Sequence, residues 1–308
     1  MPHPPRPHRT GRALRTSLPR RAALAATAVL GLASFTGCGL VNAAGGGDDR
    51  TIRMIVTESA PYQEPTEIAK ELLADEGWTL ETTYVTDIIQ PNQVVQQGEY
   101  DANFFQHLAY LHQFNQDNDT EVAPAFSVYY APSGIFSLKH DSIEDLPDGA
   151  TISLPVDTAN NGRGLKLLAE AGALEINESV PVTELSQRDI TDNPHGFEFV
   201  EIDQQSTAQT LPDVDAGLAF ARLVAEAGHD VEKTALILED DEETQVPYTN
   251  VVAVTPDEVA SEKTRALQDA FQSPEVEEWY AEYLGGALDY VDTVTVDNAG
   301  ETWKEFTS

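Results

Sequence analysis

Short runs of β-prone residues alternate with amphipathic helical segments along most of this chain. The run TIRMIVT, 51–57, predicts a strand, and apolar residues then recur at helical spacing between Thr66, a predicted N-cap, and Gly77. Residues 79–87 and 101–105 predict two further strands, with a short helix between them. Because parallel strands require crossover connections, which are usually helices, this alternation predicts an α/β fold with largely parallel sheets.

The same alternation restarts after residue 139 and predicts a second α/β unit. Strands are predicted at 150–155, 197–202 and 213–220, a helix at 160–172 and a returning strand at 249–254. Two amphipathic helices follow, and Ser273 and Pro274 are the predicted cap and first residue of the second. These last segments are expected to pack back on the first unit.

Residues 1–37 have the layout of a secretory signal peptide. Arginines precede an apolar run, 22–37, that is too short to span a bilayer comfortably. The run ends in FTGC, 35–38, which resembles a bacterial lipobox with Phe in place of the usual Leu. We therefore predict lipid attachment at Cys38 and a flexible tether over 38–50. An ordinary signal ending in a small apolar residue is the alternative, and an arginine pair before the run leaves both Sec and twin-arginine export open.

The mature chain predicted in this way is strongly acidic. All 52 Asp and Glu residues follow Cys38, whereas six of the 18 Lys and Arg residues precede it. The remaining net charge is about −40 with His neutral, which makes nucleic acid an unexpected partner. Such a charge indicates a well-solvated surface, and the acidic run 239–245 is predicted to be a solvated linker between the two units.

Motifs for catalysis, metal binding and cofactor binding are missing from the sequence. Cys38 is the single cysteine, so neither an intramolecular disulfide nor a cysteine-based metal cage can form. His107 and His112 are five residues apart, a spacing that does not place two imidazoles on one helical face. There is no HExxH, no GxSxG and no phosphate-binding glycine loop. We therefore expect no metal, no cofactor and no enzymatic activity.

An Asn-rich turn follows the predicted strand at 150–155 and leads into a helix. Asn160 and Arg163 lie at the predicted start of that helix, where free backbone N–H groups, the helix dipole and a guanidinium can together bind a carboxylate or a phosphate. The alternative is that Asn160 only caps the helix and Arg163 pairs with a surface acid. The residues alone leave both interpretations open.

The stretch DANFFQH, 101–107, places two phenylalanines beside an amide and an imidazole. Side chains alternate between the faces of a strand, so Phe104 is expected in the core while Phe105 and His107 share the other face. Tyr110 follows at the carboxyl end of this strand, where open α/β sheets bind ligands. The stretch therefore favours a ligand pocket over a metal half-site, with simple core packing as the alternative.

Five runs of the sequence occur in an order and spacing typical of one known family, namely 90–115, 134–174, 211–217, 247–254 and 273–276. They resemble the NlpA-type lipoproteins, the substrate-binding proteins of methionine-type ABC importers. The resemblance implies a type II periplasmic-binding-protein-like fold, in which two α/β lobes are joined by a hinge with the ligand cleft between them. Lobe one is then expected to comprise 51–132 and 247–308, and lobe two 133–246.

The resemblance also implies which residues bind the ligand. The aromatic and imidazole wall of the family's pocket corresponds to Phe105, His107 and Tyr110. The family's arginine for the ligand carboxylate corresponds to Arg163, and two amides correspond to Asn160 and Asn250. Two positions depart from the family pattern. Ile88 stands where the family has an aromatic residue, and Phe220, with Arg222 two residues beyond, stands where the family has an Asn that faces the ligand.

The function implied is that of a lipid-anchored, extracytoplasmic receptor for a small amino acid such as methionine or a related carboxylate. Its partners would be the membrane, through the lipid, and an ABC permease with its ATPase. The two departures keep a second hypothesis open, a surface lipoprotein with a degenerate pocket that acts through protein contacts. We expect Arg163→Ala to remove most of the affinity and to leave the melting temperature of the ligand-free protein nearly unchanged.

Overall fold

Two mixed β-sheets with helices packed against them form the framework of the protein. The computed structural model describes residues 50–239, 242–285 and 287–307, so the predicted signal peptide, Cys38 and the tether up to residue 49 lie outside the described residues. The strands are β1 (Thr51–Thr57), β2 (Thr79–Val85), β3 (Ala102–His107), β4 (Ala123–Tyr130), β5 (Ser133–Phe136), β6 (Thr151–Pro155), β7 (Glu175–Ile176), β8 (Ile190–Asp192), β9 (Glu198–Ile202), β10 (Ala216–Phe220), β11 (Ala235–Leu238), β12 (Thr249–Val254) and β13 (Asp289–Tyr290).

Helices connect most of these strands. They are α1 (Ala60–Asp75), α2 (Gln90–Gln96), α3 (Leu108–Asn118), α4 (Thr158–Glu170), α5 (Thr207–Thr210), α6 (Ala221–Glu226), α7 (Val231–Thr234), α8 (Glu242–Tyr248), α9 (Glu262–Phe271), α10 (Pro274–Glu282) and α11 (Ala299–Phe306). Within the described ranges, none of these helices combines the length and apolar character that crossing a membrane requires.

The first sheet has the strand order β13-β4-β12-β3-β1-β2, and the second has the order β11-β5-β10-β6-β9. In the first sheet β1 runs parallel to β2 and β3, but β12 runs antiparallel to both β3 and β4. In the second sheet β6 runs parallel to β9 and β10, but β5 runs antiparallel to β10 and β11. The prediction of largely parallel sheets is therefore wrong. Strands that enter a sheet directly from the other sheet need no crossover helix, so they can pair antiparallel.

The chain passes between the two sheets twice. The first crossing, 131–132, joins β4 to β5, and the second, 239–248, joins β11 to β12 and includes α8. The acidic run 239–245 was predicted to be solvated, yet the Glu239 side chain is only 2% exposed. That part of the prediction is wrong because a guanidinium from α4 neutralises the Glu239 carboxylate in the interior.

α1 begins earlier than the sequence predicted. Its N-cap is Ser59, and Pro61 lies in the first turn, where the missing N–H of a proline leaves no helical hydrogen bond unmade. Pro65 leaves the Pro61 carbonyl without a helical donor, and the Tyr280 hydroxyl donates to that oxygen at 2.6 Å. Thr66 is buried inside the helix and donates to the carbonyl one turn earlier, so its prediction as a cap is wrong.

The C-terminal helices pack against the first sheet. The predicted start of α10 is confirmed, since the Ser273 hydroxyl accepts from the Val276 N–H and Pro274 is the first helical residue. Phe271 of α9 meets Phe104 of β3 edge-on at 5.4 Å between ring centroids, inside the largest apolar cluster of the described residues. Aromatic contacts of this kind hold the returning C-terminal chain on the first sheet.

Candidate functional site

β3 carries its pocket side chains at a β-bulge. Phe104 and Gln106 pair with successive residues of β12, so Phe105 is the additional residue between them. A bulge bends a strand locally and re-aims side chains, which is why bulges are frequent beside functional sites. Phe104 lies in the apolar core, as predicted, whereas Phe105, Gln106 and His107 all line a cavity between the two sheets.

His107 is held in one tautomer by two hydrogen bonds. It is the N-cap of α3, and its Nδ1 accepts from the Tyr110 N–H at 3.1 Å. Nε2 therefore carries the hydrogen, which it donates to the Asn160 Oδ1 at 3.2 Å. Burial, followed by the nearby Arg163 charge, lowers the pKa of His107 to about 3, so the imidazole is neutral at physiological pH. Asn160 is fully buried behind this ring and does not line the cavity.

Aromatic rings form one wall of the cavity. Phe105 and Tyr110 meet edge-on with centroids 5.8 Å apart. The Tyr110 hydroxyl donates to the Ile88 carbonyl at 2.9 Å, which ties α3 to the segment before α2. The Ile88 side chain lines the same cavity, so an aliphatic group contributes where the family pattern led us to expect a ring.

α4 starts two residues before its predicted start, at Thr158, and this corrects the expected anion site. The Asp157 carboxylate is the N-cap and accepts from the backbone N–H of Asn160 at 2.9 Å and from its side-chain amide at 2.8 Å. Asn160 is therefore not the cap, and Arg163 lies in the second turn rather than the first. Because Asp157 already covers the positive end of the helix, the helix N-terminus is not an open carboxylate receptor.

Arg163 forms a buried ion pair with Glu239 of the second crossing. Its Nε donates to Glu239 Oε1 at 2.6 Å and its Nη2 donates to Oε2, and each side chain is 2% exposed. Nη2 also reaches the Ala131 carbonyl, in the first crossing, at 3.2 Å. The guanidinium lies 3.8 Å from the centroid of the Tyr248 ring. Neither sequence interpretation anticipated this arrangement, in which Arg163 pairs with an acid that is not on the surface.

Two polar atoms of cavity-lining residues are buried without a hydrogen-bond partner among the described residues. They are Nη1 of Arg163 and the hydroxyl oxygen of Tyr248. Buried polar groups are nearly always paired, so unpaired ones beside a cavity point to a binding partner that is not part of the chain. Arg163 therefore keeps one donor for a ligand although its other two nitrogens are engaged.

Phe220 ends β10 between two arginines. The guanidinium carbon of Arg163 lies 5.8 Å from its ring centroid, and that of Arg222 lies 5.9 Å away. Both distances suit an attraction between a cation and the face of an aromatic ring. Phe220 also lines the cavity.

Asn250 lies on β12 directly opposite His107 in the strand register. Its Oδ1 accepts from the Tyr62 hydroxyl at 2.8 Å. Asn250 and Tyr62 both line the cavity. The amide NH₂ of Asn250 has no hydrogen bond to another described residue. An oriented amide donor therefore faces the cavity from the first sheet.

Side chains from both sheets enclose this cavity, whose volume is about 20 Å³. Six of the seven predicted ligand-binding residues line it, namely Phe105, His107, Tyr110, Arg163, Phe220 and Asn250. A volume of this size admits about one water molecule. Binding of an amino acid therefore requires the two sheets, or the side chains between them, to move apart.

Sequence reasoning did not assign several lining residues. Tyr62, Gln204, Arg222 and Tyr248 all line the cavity. Tyr248 lies two residues before Asn250 in the run 247–254, and that spacing could have indicated it. Glu239 gave no usable signal, because one carboxylate in an acidic run looks like any other. Among the described residues no group of three or more His, Cys, Asp or Glu side chains could hold a metal ion.

Comparisons with known proteins agree with this architecture. The methionine-binding lipoprotein MetQ of Bacillus subtilis (strain 168) is 29% identical over 252 residues, which are 82% of this chain and 91% of that protein. The structure of a nutrient binding protein from Burkholderia cenocepacia bound to methionine is similar with a TM-score of 0.71 and 28% identity, over 78% of this chain and 99% of that one. A lipoprotein of the YaeC family from Enterococcus faecalis V583 is similar with a TM-score of 0.72 and 28% identity, over 79% of this chain and all of that one.

These likenesses confirm the predicted type II periplasmic-binding-protein-like α/β fold. The sequence model described as NlpA lipoprotein matches residues 54–289, which is well over half of the chain. The matched region contains the whole second sheet, most of the first sheet, both crossings and every residue that lines the cavity. The chain belongs to the NlpA lipoprotein family.

Proposed function

We propose that this protein is the lipid-anchored, extracytoplasmic substrate-binding component of an ABC importer, and that it has no enzymatic activity. Its ligand is a small amino acid such as methionine or a related carboxylate. The observation that carries the proposal is the cavity between the two sheets, which receives aromatic and amide groups from one side and guanidinium groups from the other. Concave sites between two lobes are where small ligands bind in such folds.

The ligand carboxylate binds at Nη1 of Arg163, the buried donor that no described residue satisfies. The ligand side chain lies against Phe105, His107 and Tyr110, and the NH₂ group of Asn250 donates to a remaining polar group. Asn160 acts through His107, because its Oδ1 accepts from the imidazole and fixes the ring. These roles use a neutral imidazole, in keeping with the lowered pKa of His107.

The two sheets correspond to two lobes, 51–132 with 247–308 and 133–246, that open and close about the two crossings. Arg163 contacts both crossings, through Ala131 and Glu239, so its position is coupled to their conformation. A ligand that touches groups from both lobes binds the closed form more tightly and shifts the population toward it. The closed form is the one that presents a matched surface to the permease.

Lipid attached at Cys38 holds the protein at the outer face of the cell membrane, with 38–50 as the tether. The family and the Bacillus subtilis relative are both described as lipoproteins, which supports this placement. A tethered receptor keeps its ligand close to the permease at a high effective concentration.

Thermal unfolding of the purified full-length protein, in detergent, tests the proposal. A panel of amino acids, dipeptides and small carboxylates is added, and at least one is expected to raise the melting temperature in a concentration-dependent manner. Phe105→Ala, which removes the aromatic wall, should abolish the rise, whereas the same change at the partly exposed Phe199, on β9 and outside the cavity, should not. Flat traces across the panel would favour the alternative function, a surface lipoprotein with a degenerate pocket that acts through protein contacts.

A further inference from the structure

The charged residues that line the cavity are basic, whereas the chain as a whole is strongly acidic. Of the Lys and Arg side chains that the structure describes, only Arg163 and Arg222 are buried, and both line the cavity. None of the cavity-lining residues is Asp or Glu, although the chain has 52 acidic residues and 18 basic ones. In so acidic a protein, two arginines without a lining carboxylate create a local site for negative charge.

The two arginines differ in how far the protein neutralises them. Arg163 has a bidentate partner in Glu239, which is equally buried, so that ion pair carries little net charge. It offers a ligand one directed donor rather than a full positive charge. The net charge of the cavity must therefore come from the other guanidinium.

Arg222 has a more loosely held and more exposed partner of opposite charge, Glu226, which contacts it through a single oxygen. Its side chain is 3% exposed, and its nitrogens lie 3.4 Å from Ser59 Oγ, 3.4 Å from Gln205 Oε1 and 3.3 Å from Glu226 Oε1. These three distances are longer than the usual N–H···O distance of about 2.7–3.2 Å. The Glu226 side chain is 34% exposed, and the same oxygen accepts a shorter bond, 2.6 Å, from the Tyr283 hydroxyl. Arg222 is thus a buried cation with long, single-atom contacts.

The position of Arg222 suits a second ligand group. The guanidinium carbons of Arg163 and Arg222 lie 5.8 Å and 5.9 Å from the centroid of the Phe220 ring. The distance between the two guanidinium carbons therefore cannot exceed the sum of these two distances. A small molecule with two separated anionic groups can span that interval. Gln204 also lines the cavity and can add a neutral hydrogen-bonding group.

We propose that Arg222 forms a second anion subsite and that the ligand is a small carboxylate with a net negative charge, such as an acidic amino acid or a dicarboxylate. This inference rests on the proposed function, because it assumes that the cavity binds a small carboxylate. One acidic group binds at Arg163 and the other at Arg222. A neutral zwitterion fits less well, since it brings only one anionic group to a cavity that two buried guanidinium groups line.

Titration calorimetry with pairs of nearly identical probes tests this inference. L-glutamate and L-glutamine have nearly the same shape and differ in charge, as do L-aspartate and L-asparagine, and glutarate and L-methionine complete the set. Full-length wild-type protein is expected to bind at least one of the three anions about tenfold or more tightly than glutamine, asparagine and methionine. In Arg222→Gln the discrimination within each pair should fall to nearly one, and Arg222→Lys should retain part of it.

The wild-type measurement decides the matter even if Arg222→Gln fails to fold. Equal or tighter binding of glutamine, asparagine or methionine would overturn the second anion subsite and leave the proposed function in place. An Arg222→Gln protein that folds and still prefers the anion would likewise overturn it. If folded wild-type protein binds none of the six probes, the second anion subsite is overturned, whereas the proposed function fails only if the wider thermal-unfolding panel is flat as well.

Discussion

Arg163 and Glu239 form a buried, bidentate ion pair that joins α4 to the chain segment crossing between the sheets. Tyr130 and Ser133, on either side of the other crossing, also donate to the Glu239 carboxylate, at 2.8 Å and 3.0 Å. One carboxylate therefore connects both crossings to the arginine that is proposed to bind the ligand. Its position explains why the expectation for Arg163→Ala, an unchanged melting temperature, must be revised.

Breaking the Arg163–Glu239 pair on either side is expected to destabilise the ligand-free protein. Arg163→Met leaves a buried carboxylate without its counter-charge and Glu239→Gln leaves a buried guanidinium, so each should cost about 3–5 kcal/mol of unfolding free energy. The double variant should cost clearly less than the two single costs added together. Urea unfolding of all four proteins measures the coupling.

The exposed pair of Arg265 and Asp297, 2.9 Å apart with side chains 47% and 75% exposed, is the matched control. The corresponding changes, Arg265→Met and Asp297→Asn, should each alter stability by less than about 1 kcal/mol. Additive costs at Arg163 and Glu239 would show that the buried pair is not an energetic unit.

Burial of His107 is expected to make the protein sensitive to mild acid. The pKa of this imidazole is lowered to about 3 in the folded protein, against its ordinary value of 6.5, so the unfolded chain binds the proton more readily. The stability it contributes is complete above pH 6.5 and is lost as the pH falls toward 3. The slope is about 1.4 kcal/mol per pH unit in that window.

Between pH 6.5 and pH 5, the unfolding free energy of His107→Gln should therefore fall by about 2 kcal/mol less than that of the wild type. Urea unfolding at each pH measures the difference. The same substitution at His195, whose side chain is 47% exposed, controls for the chemistry of the replacement. Parallel stability curves for the wild type and His107→Gln would contradict the assignment of a neutral, buried imidazole.

Gly162, the residue before Arg163, is expected to tolerate no side chain. A Cβ there would lie 1.9 Å from the Val182 carbonyl oxygen and 3.0 Å from the Leu185 Cβ. Gly162→Ala should therefore cost about 1–3 kcal/mol through overpacking, and it should weaken ligand binding by shifting α4. Gly300 in α11 is the control, since a Cβ there meets nothing within 4 Å. Gly300→Ala should be neutral or stabilise by up to about 1 kcal/mol. Equal effects at both positions would refute the steric argument.

Cys38 is predicted to be the lipid attachment site. Cys38→Ala in the full-length chain should release the protein from the membrane fraction and abolish incorporation of a labelled fatty acid. Ser34→Ala, within the same apolar run, should change neither result. Continued membrane attachment of the Cys38→Ala protein would show that another element anchors it.

The sequence by itself determined the α/β class, most of the element positions and one wall of the cavity. Period-two alternation separated Phe104 from Phe105, and helical spacing located α9 and α10, because these signals depend on neighbours within a few residues. Resemblance to the family supplied Arg163, Phe220 and Asn250, which local patterns alone could not assign to one site.

Tertiary structure alone decided the mixed strand directions and the electrostatics of the site. Arg163 and Glu239 are 76 residues apart in the sequence, so no local pattern could pair them. Asp157 takes the helix N-terminus, and the buried Arg222 has a single-oxygen ion pair with the partly exposed Glu226. Charge pairing depends on which groups share a buried space, and the chain sets that only when its two sheets come together.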